Sequence, residues 1–161
     1  MKNKNLLHII ISTGFGSGYF PAAPGTAGAV FATLIWFGLV FLKLSSCHLL
    51  LATASLIVVF TFLGVWSSGI MEKYWGKDPS KVVIDEMVGV WIPLLIVNND
   101  NKYYFYYALA ALLLFRLFDI FKPLGIKKME AIGGGWGIML DDILAGIYSL
   151  LILCGIKYLI G

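Results

Sequence analysis

Long blocks of apolar residues, separated by short polar stretches, dominate this chain. A helix or strand with one face in water shows an apolar stripe or an alternation, whereas an unbroken run of about 20 apolar residues matches the hydrocarbon thickness of a bilayer. Four such runs fall at residues 27–43, 49–70, 103–121 and 137–160. Of the 161 residues, 60% are hydrophobic and only 13% charged, which sets the chain apart from soluble domains and suits one domain by length. The sequence predicts an all-α, polytopic helical membrane protein forming a single domain over residues 1–161.

A shorter segment, 82–97, carries Asp85 and Glu86 at its start and Pro93 inside, and is read as a fifth span. The lysines test that count. With five spans, Lys2, Lys4, Lys73, Lys77, Lys81, Lys122, Lys127 and Lys128 share the N-terminal side, against Lys43, Lys102 and Lys157 on the other. Cytoplasmic loops collect lysine and arginine, so this asymmetry puts the N-terminus and the loops after spans two and four in the cytoplasm. Dropping the short segment would move Lys122, Lys127 and Lys128 across. The expectation is about five transmembrane segments.

Residues 6–25 are apolar but interrupted by Gly14, Gly16, Gly18, Pro21, Pro24 and Gly25, which disfavours one straight helix. An interfacial or re-entrant segment is expected there. Its charged start resembles that of a signal peptide, but the apolar run is short and ends in glycines, so no cleavage is expected. Cys47 and Cys154 stand far apart and give neither a disulfide framework nor a zinc site. The net charge of +3 is spread singly through loops, so nucleic acid is not an expected partner.

Ionisable residues inside a membrane are expensive and mark sites. Asp85 and Glu86 open span three, Arg116 and Asp119 close span four, and Asp141 and Asp142 lie in the first turns of span five. All are cytoplasmic ends by the lysine topology. At about 1.5 Å per residue, Asp119 is a few ångströms from its helix end and Asp141 roughly one turn inside its own. Carboxylates gathered in apolar surroundings repel one another unless protonated or bound to cations, and hard oxygen ligands select magnesium, manganese or calcium. Neighbouring acids on a helix point about 100° apart, so one of each pair is expected to ligate and the other to act nearby. Taken singly, the same residues also have structural readings: Asp85 and Asp141 at helix N-termini, and Arg116 with Asp119 as an i,i+3 ion pair.

Arg116 and Lys122 are the cations expected to meet an anionic substrate. Gly14-Phe15-Gly16-Ser17-Gly18, Pro24-Gly25-Thr26 and Gly133-Gly134-Gly135-Trp136-Gly137 add anion-binding backbone, with Thr26 placed to cap span one, although close helix packing uses glycine equally well. Cysteine-phosphatase chemistry lacks its arginine after either cysteine, and His8 and His48 fall at segment edges, with His48 on the side away from the acids.

These strings resemble those of the phosphatidylglycerophosphatase A family: Gly14-Phe15-Gly16-Ser17-Gly18 with Pro24-Gly25-Thr26; Ile84-Asp85-Glu86-Met87-Val88-Gly89; Phe115-Arg116-Leu117-Phe118-Asp119 with Lys122-Pro123; and Gly137-Ile138-Met139 with Asp141-Asp142. They run in family order along nearly the whole chain, departing at Gly125, where a second proline is expected. The resemblance implies hydrolysis of phosphatidylglycerophosphate to phosphatidylglycerol and phosphate, a magnesium requirement, a phospholipid substrate in the bilayer, and a bacterial cytoplasmic membrane location with the site facing the cytoplasm. It points to Asp85, Glu86, Asp119, Asp141 and Asp142 around the metal, with Asp85, Glu86, Asp141 and Asp142 catalytic. Arg116, Lys122, Gly16, Ser17, Gly25 and Thr26 are then the phosphate and substrate contacts. The alternative class is a small proton- or cation-coupled transporter, which would need acids spread through the membrane depth. Here the far halves of spans four and five are nearly all apolar.

Overall fold

A computed structural model describes residues 5–160, apart from the side chains of Glu130 and Ile160; Lys2 and Lys4, counted in the charge argument, lie outside it. The described chain is helical throughout, with no strand: α1 (Leu6–Ser12), α2 (Pro24–Phe41), α3 (Ser46–Trp75), α4 (Ile84–Leu94), α5 (Tyr104–Phe121), α6 (Ile126–Met129) and α7 (Gly134–Ile160), with single 3-10 turns at Ser17–Tyr19 and Glu130–Ile132. Four of these, α2, α3, α5 and α7, are long and apolar enough to cross a membrane. Their outward faces carry exposed Leu34, Phe62, Leu113 and Leu151, large apolar side chains that water would not tolerate in such numbers.

The fifth expected span differs in form. Its helix, α4, has only eleven residues, about 16 Å, against a hydrocarbon core of about 30 Å. Ten of the eleven are buried, so α4 is the central post of the bundle, packed by α2, α3, α5 and α7. It nevertheless connects the two ends. At one end the Val83 amide donates to the Ser12 carbonyl at 2.9 Å. At the other, Asn99 Nδ2 donates to the Leu44 carbonyl at 2.7 Å, beside the loop joining α2 and α3. The Lys157 ammonium near the end of α7 donates to the Ile96 carbonyl at 2.9 Å, closing a helix terminus left with free acceptors. A short buried helix extended by residues 95–98 can cross because protein, not lipid, surrounds it.

Small residues set how closely α4 and α7 approach. A Cβ on Gly89 would collide with the Phe115 ring and come within 2.8 Å of the Asp142 carbonyl oxygen; one on Gly146 would stand 2.5 Å from the Gly89 carbonyl oxygen. Close backbone contact of this kind is the usual membrane helix interface. It occurs one turn along from Asp85 on α4 and from Asp142 on α7, and so fixes the separation of those carboxylates. Trp91 completes the post: its indole N–H donates to the Ala32 carbonyl at 2.9 Å and its ring meets Phe60 edge-on at 5.1 Å.

The segment expected to lie at the interface forms α1 and a glycine turn at the same end as Asp85. His8 packs edge-on against Trp66 of α3 at 4.3 Å. A Cβ on Gly18 would overlap the Lys81 carbonyl oxygen, so the turn presses directly on the loop that leads into α4.

Candidate active site

Three helix ends converge where the sequence placed the acids. A pocket of about 260 Å³ is bounded by the start of α2, the loop at Asp78, Pro79 and Ser80, the first turn of α4, the last turns of α5 with Lys122, and Asp141 and Asp142 of α7. That volume is near the lower limit for small-molecule sites, which suits a headgroup fragment and excludes a whole lipid.

The five acids are not equivalent. Asp85, Glu86 and Asp142 each offer an oxygen, and these atoms lie within 4.8 Å of one another. The other two are paired: Asp119 Oδ2 stands 2.5 Å from Arg116 Nη1, and Asp141 Oδ2 accepts from the Lys122 ammonium at 2.6 Å. The two adjacent pairs therefore differ: Asp85 and Glu86 both reach this group, whereas Asp142 joins it and Asp141 turns to Lys122. In the first turn of α4 both side chains reach the same space, because the other helices close around that end.

Asp85 Oδ1, Glu86 Oε2 and Asp141 Oδ1 are buried without a hydrogen-bond partner among the described residues, as are Arg116 Nε and Nη1, the latter close to Asp119 but not aligned as a donor. Buried polar atoms are rarely left unpaired, and each such group costs stability. The unpartnered oxygens of Asp85, Glu86 and Asp141 and the unpartnered Arg116 Nε border one pocket. The oxygen-only donor set of Asp85, Glu86 and Asp142 fits a hard divalent ion.

Gly25 is part of this construction. A Cβ there would overlap Glu86 Oε1 and come within 3.0 Å of Arg116 Nη1, so the start of α2 lies directly against the charged side chains. Glu86 Oε1 and Arg116 Nη1 are 3.9 Å apart across it.

Several expectations need correction. Thr26 is not the cap of α2: the helix begins at Pro24, whose fixed φ suits the first helical position, and Ala23 is the cap without a side-chain bond. Gly16 and Ser17 do not line the pocket; the Ser17 hydroxyl donates to the Gly14 carbonyl at 2.9 Å, and Gly16 has φ of 96°, so this string makes a turn and packs. Asp141 lies about two turns inside α7, because that helix starts at Gly134, before the apolar run. His48 stands at the far end against Ser45 Oγ, as expected, and neither histidine lines the pocket. Asp78, Pro79 and Ser80 were missed; they carry no periodic pattern, and only their place between Lys77 and Lys81, on the same side as the acids, pointed to them.

Fold and site together define a helical membrane protein with a buried carboxylate centre confined to one end of its bundle. A model of the phosphatidylglycerophosphatase A family matches residues 10–157. A Bacteroides thetaiotaomicron protein provisionally named phosphatidylinositol-3-phosphatase is 53% identical over 161 residues, covering all of both chains. The phosphatidylglycerophosphatases A of Escherichia coli and Haemophilus influenzae are 34% and 35% identical, covering 100% and 96% of this chain and 87% and 90% of their own. No solved structure matches. The chain belongs to the phosphatidylglycerophosphatase A family and is a phosphatase.

Proposed function

We propose that the protein removes the terminal phosphate of phosphatidylglycerophosphate in a magnesium-dependent reaction at the cytoplasmic face of a bacterial cytoplasmic membrane. The observation that carries this reading is one pocket lined both by Asp85, Glu86 and Asp142, whose oxygens cluster within 4.8 Å, and by Arg116 and Lys122. Family membership supports the substrate, and the lysine distribution supports the orientation.

Asp85, Glu86 and Asp142 would hold the magnesium. When bound, that ion polarises the phosphate and offsets the charge that builds up on its oxygens. Arg116, held by Asp119 through Nη1, binds the anionic oxygens through its unpartnered Nε by a charge-assisted hydrogen bond, and Lys122 adds a second cation. Pro24 and Gly25, at the start of α2, border the same space. In-line displacement places the attacking water and the leaving oxygen on opposite sides of phosphorus. An unpartnered oxygen of Asp85 or Glu86 accepts the water's proton, the new O–P bond forms, and the ester O–P bond breaks. The Lys122–Asp141 pair returns a proton to the departing alcohol oxygen. The proton lost by that pair equals the one gained by the base.

The name of the 53% identical relative favours a second substrate, a phosphatidylinositol phosphate. Phosphate release from each lipid by the purified protein in detergent separates the two. The reading expects faster release, as kcat/KM, from phosphatidylglycerophosphate; preference for the inositol lipid would transfer the assignment, and release from neither would remove it.

A further inference from the structure

Beside the acidic pocket lies a second cavity of about 330 Å³, and Asp78 and Asp141 form a wall common to both. Its remaining polar side chains are Glu72, near the end of α3, and Lys77. Its other side is the glycine turn that opens α7. Gly133 and Gly134 have φ of 70° and 65°, and a Cβ built on either meets nothing within 4 Å, so this backbone stands bare against open space. Asp141 is only 5% exposed and keeps Oδ1 without a partner among the described residues.

The chemistry of the lining selects its occupant. With Asp141 paired to Lys122, Glu72 and Asp78 oppose one ammonium, Lys77, and the excess negative charge disfavours a second phosphate. A neutral hydroxyl can donate to the Glu72 and Asp78 carboxylates and accept from the N–H groups left free where α7 begins at Gly134. Ile132 and Trp136, 55% and 46% exposed, flank the glycine turn and mark the depth at which an apolar surface meets headgroups.

We propose that this cavity binds the hydroxyl-bearing alcohol of the lipid headgroup while the phosphomonoester occupies the acidic pocket and the phosphodiester that joins the alcohol to the lipid stays outside both. Glu72, Asp78 and the Gly133–Gly134 backbone take the hydroxyls, and the scissile oxygen lies at the shared wall beside Asp141. This assignment rests on the phosphatase mechanism above and adds to it where the leaving alcohol goes. It also explains how one phosphate pocket serves relatives named for glycerol and inositol lipids: the headgroup is read in a separate compartment.

The test is binding, which does not require turnover. Affinities of glycerol 3-phosphate and methyl phosphate, phosphomonoesters with and without hydroxyls, are measured for the full-length protein in detergent with magnesium present. The wild type is expected to bind the polyol ester about tenfold more tightly, the worth of one hydrogen bond to a charged group. Glu72→Ala should abolish that advantage and Glu72→Gln, which keeps an acceptor, should restore most of it; Asp78→Asn tests the second acceptor at a left-handed position that asparagine tolerates. Equal wild-type affinities, binding of neither ester, or an advantage that survives both Glu72→Ala and Asp78→Asn would overturn the proposal. Failure of the phosphatase reading is seen separately, as absence of phosphate release from lipid.

Discussion

Replacing Gly25 by alanine separates catalysis from stability more cleanly than any change to a charged residue. The added methyl would overlap Glu86 Oε1, lie 3.0 Å from Arg116 Nη1 and 3.1 Å from Glu86 Cδ. Ordinary carbon contacts are about 3.5–4 Å, so the Glu86 carboxylate must retreat by roughly 1 Å and Arg116 by several tenths. The backbone gives no compensating loss, since Gly25 is helical with negative φ and alanine is the better helix former by about 1 kcal/mol. A misplacement of about 1 Å in a catalytic constellation costs on the order of 100-fold in rate. Gly25→Ala is therefore expected to unfold within a few degrees of the wild type while kcat/KM for phosphate release falls about 100-fold. Thermal unfolding in detergent and phosphate release, measured on the same preparation, check both halves. Activity within threefold of wild type would refute the idea that α2 sets the position of Glu86.

Arg116→Lys is expected to lower kcat/KM by about 10- to 100-fold, because a lysine cannot present the guanidinium's fixed fork of donors; steady-state kinetics would show it. Gly89→Ala should destabilise by about 1–3 kcal/mol, since its methyl must displace the Phe115 ring and press on the Asp142 carbonyl, and the drop in unfolding temperature reports it. Lys157→Met should cost about 1–3 kcal/mol by leaving the Ile96 carbonyl without its charged donor, with phosphate release at low temperature little changed because the site is at the other end.

Hydropathy exposed α2, α3, α5 and α7 because each must satisfy lipid with its own side chains. It said less about α4, whose apolar residues face protein on every side, so its length follows the packing around it and not the bilayer. The acids were legible as a set because their depth follows from helix position. Their division was legible only in part: the i,i+3 spacing offered the Arg116–Asp119 pair, whereas the pairing of Asp141 with Lys122 while Asp142 joins Asp85 and Glu86 depends on helix rotation and approach, which Gly89 and Gly146 control from a turn away. The glycine string 14–18 shows the opposite difficulty. Anion cradles and tight packing both need residues without a Cβ, and only the neighbours, Lys81 and Met87, decide for packing.

The central claim is that Asp85, Glu86 and Asp142 form a magnesium site on which phosphomonoester hydrolysis depends. Its most direct test is a magnesium titration of phosphate release from phosphatidylglycerophosphate, after chelator treatment, for the wild type and for folded Asp142→Asn. No release is expected without the ion, with full recovery on its return and a variant whose magnesium requirement rises at least tenfold with reduced maximal rate. Release that persists in chelator, or an Asp142→Asn titration that superimposes on the wild type, would contradict it.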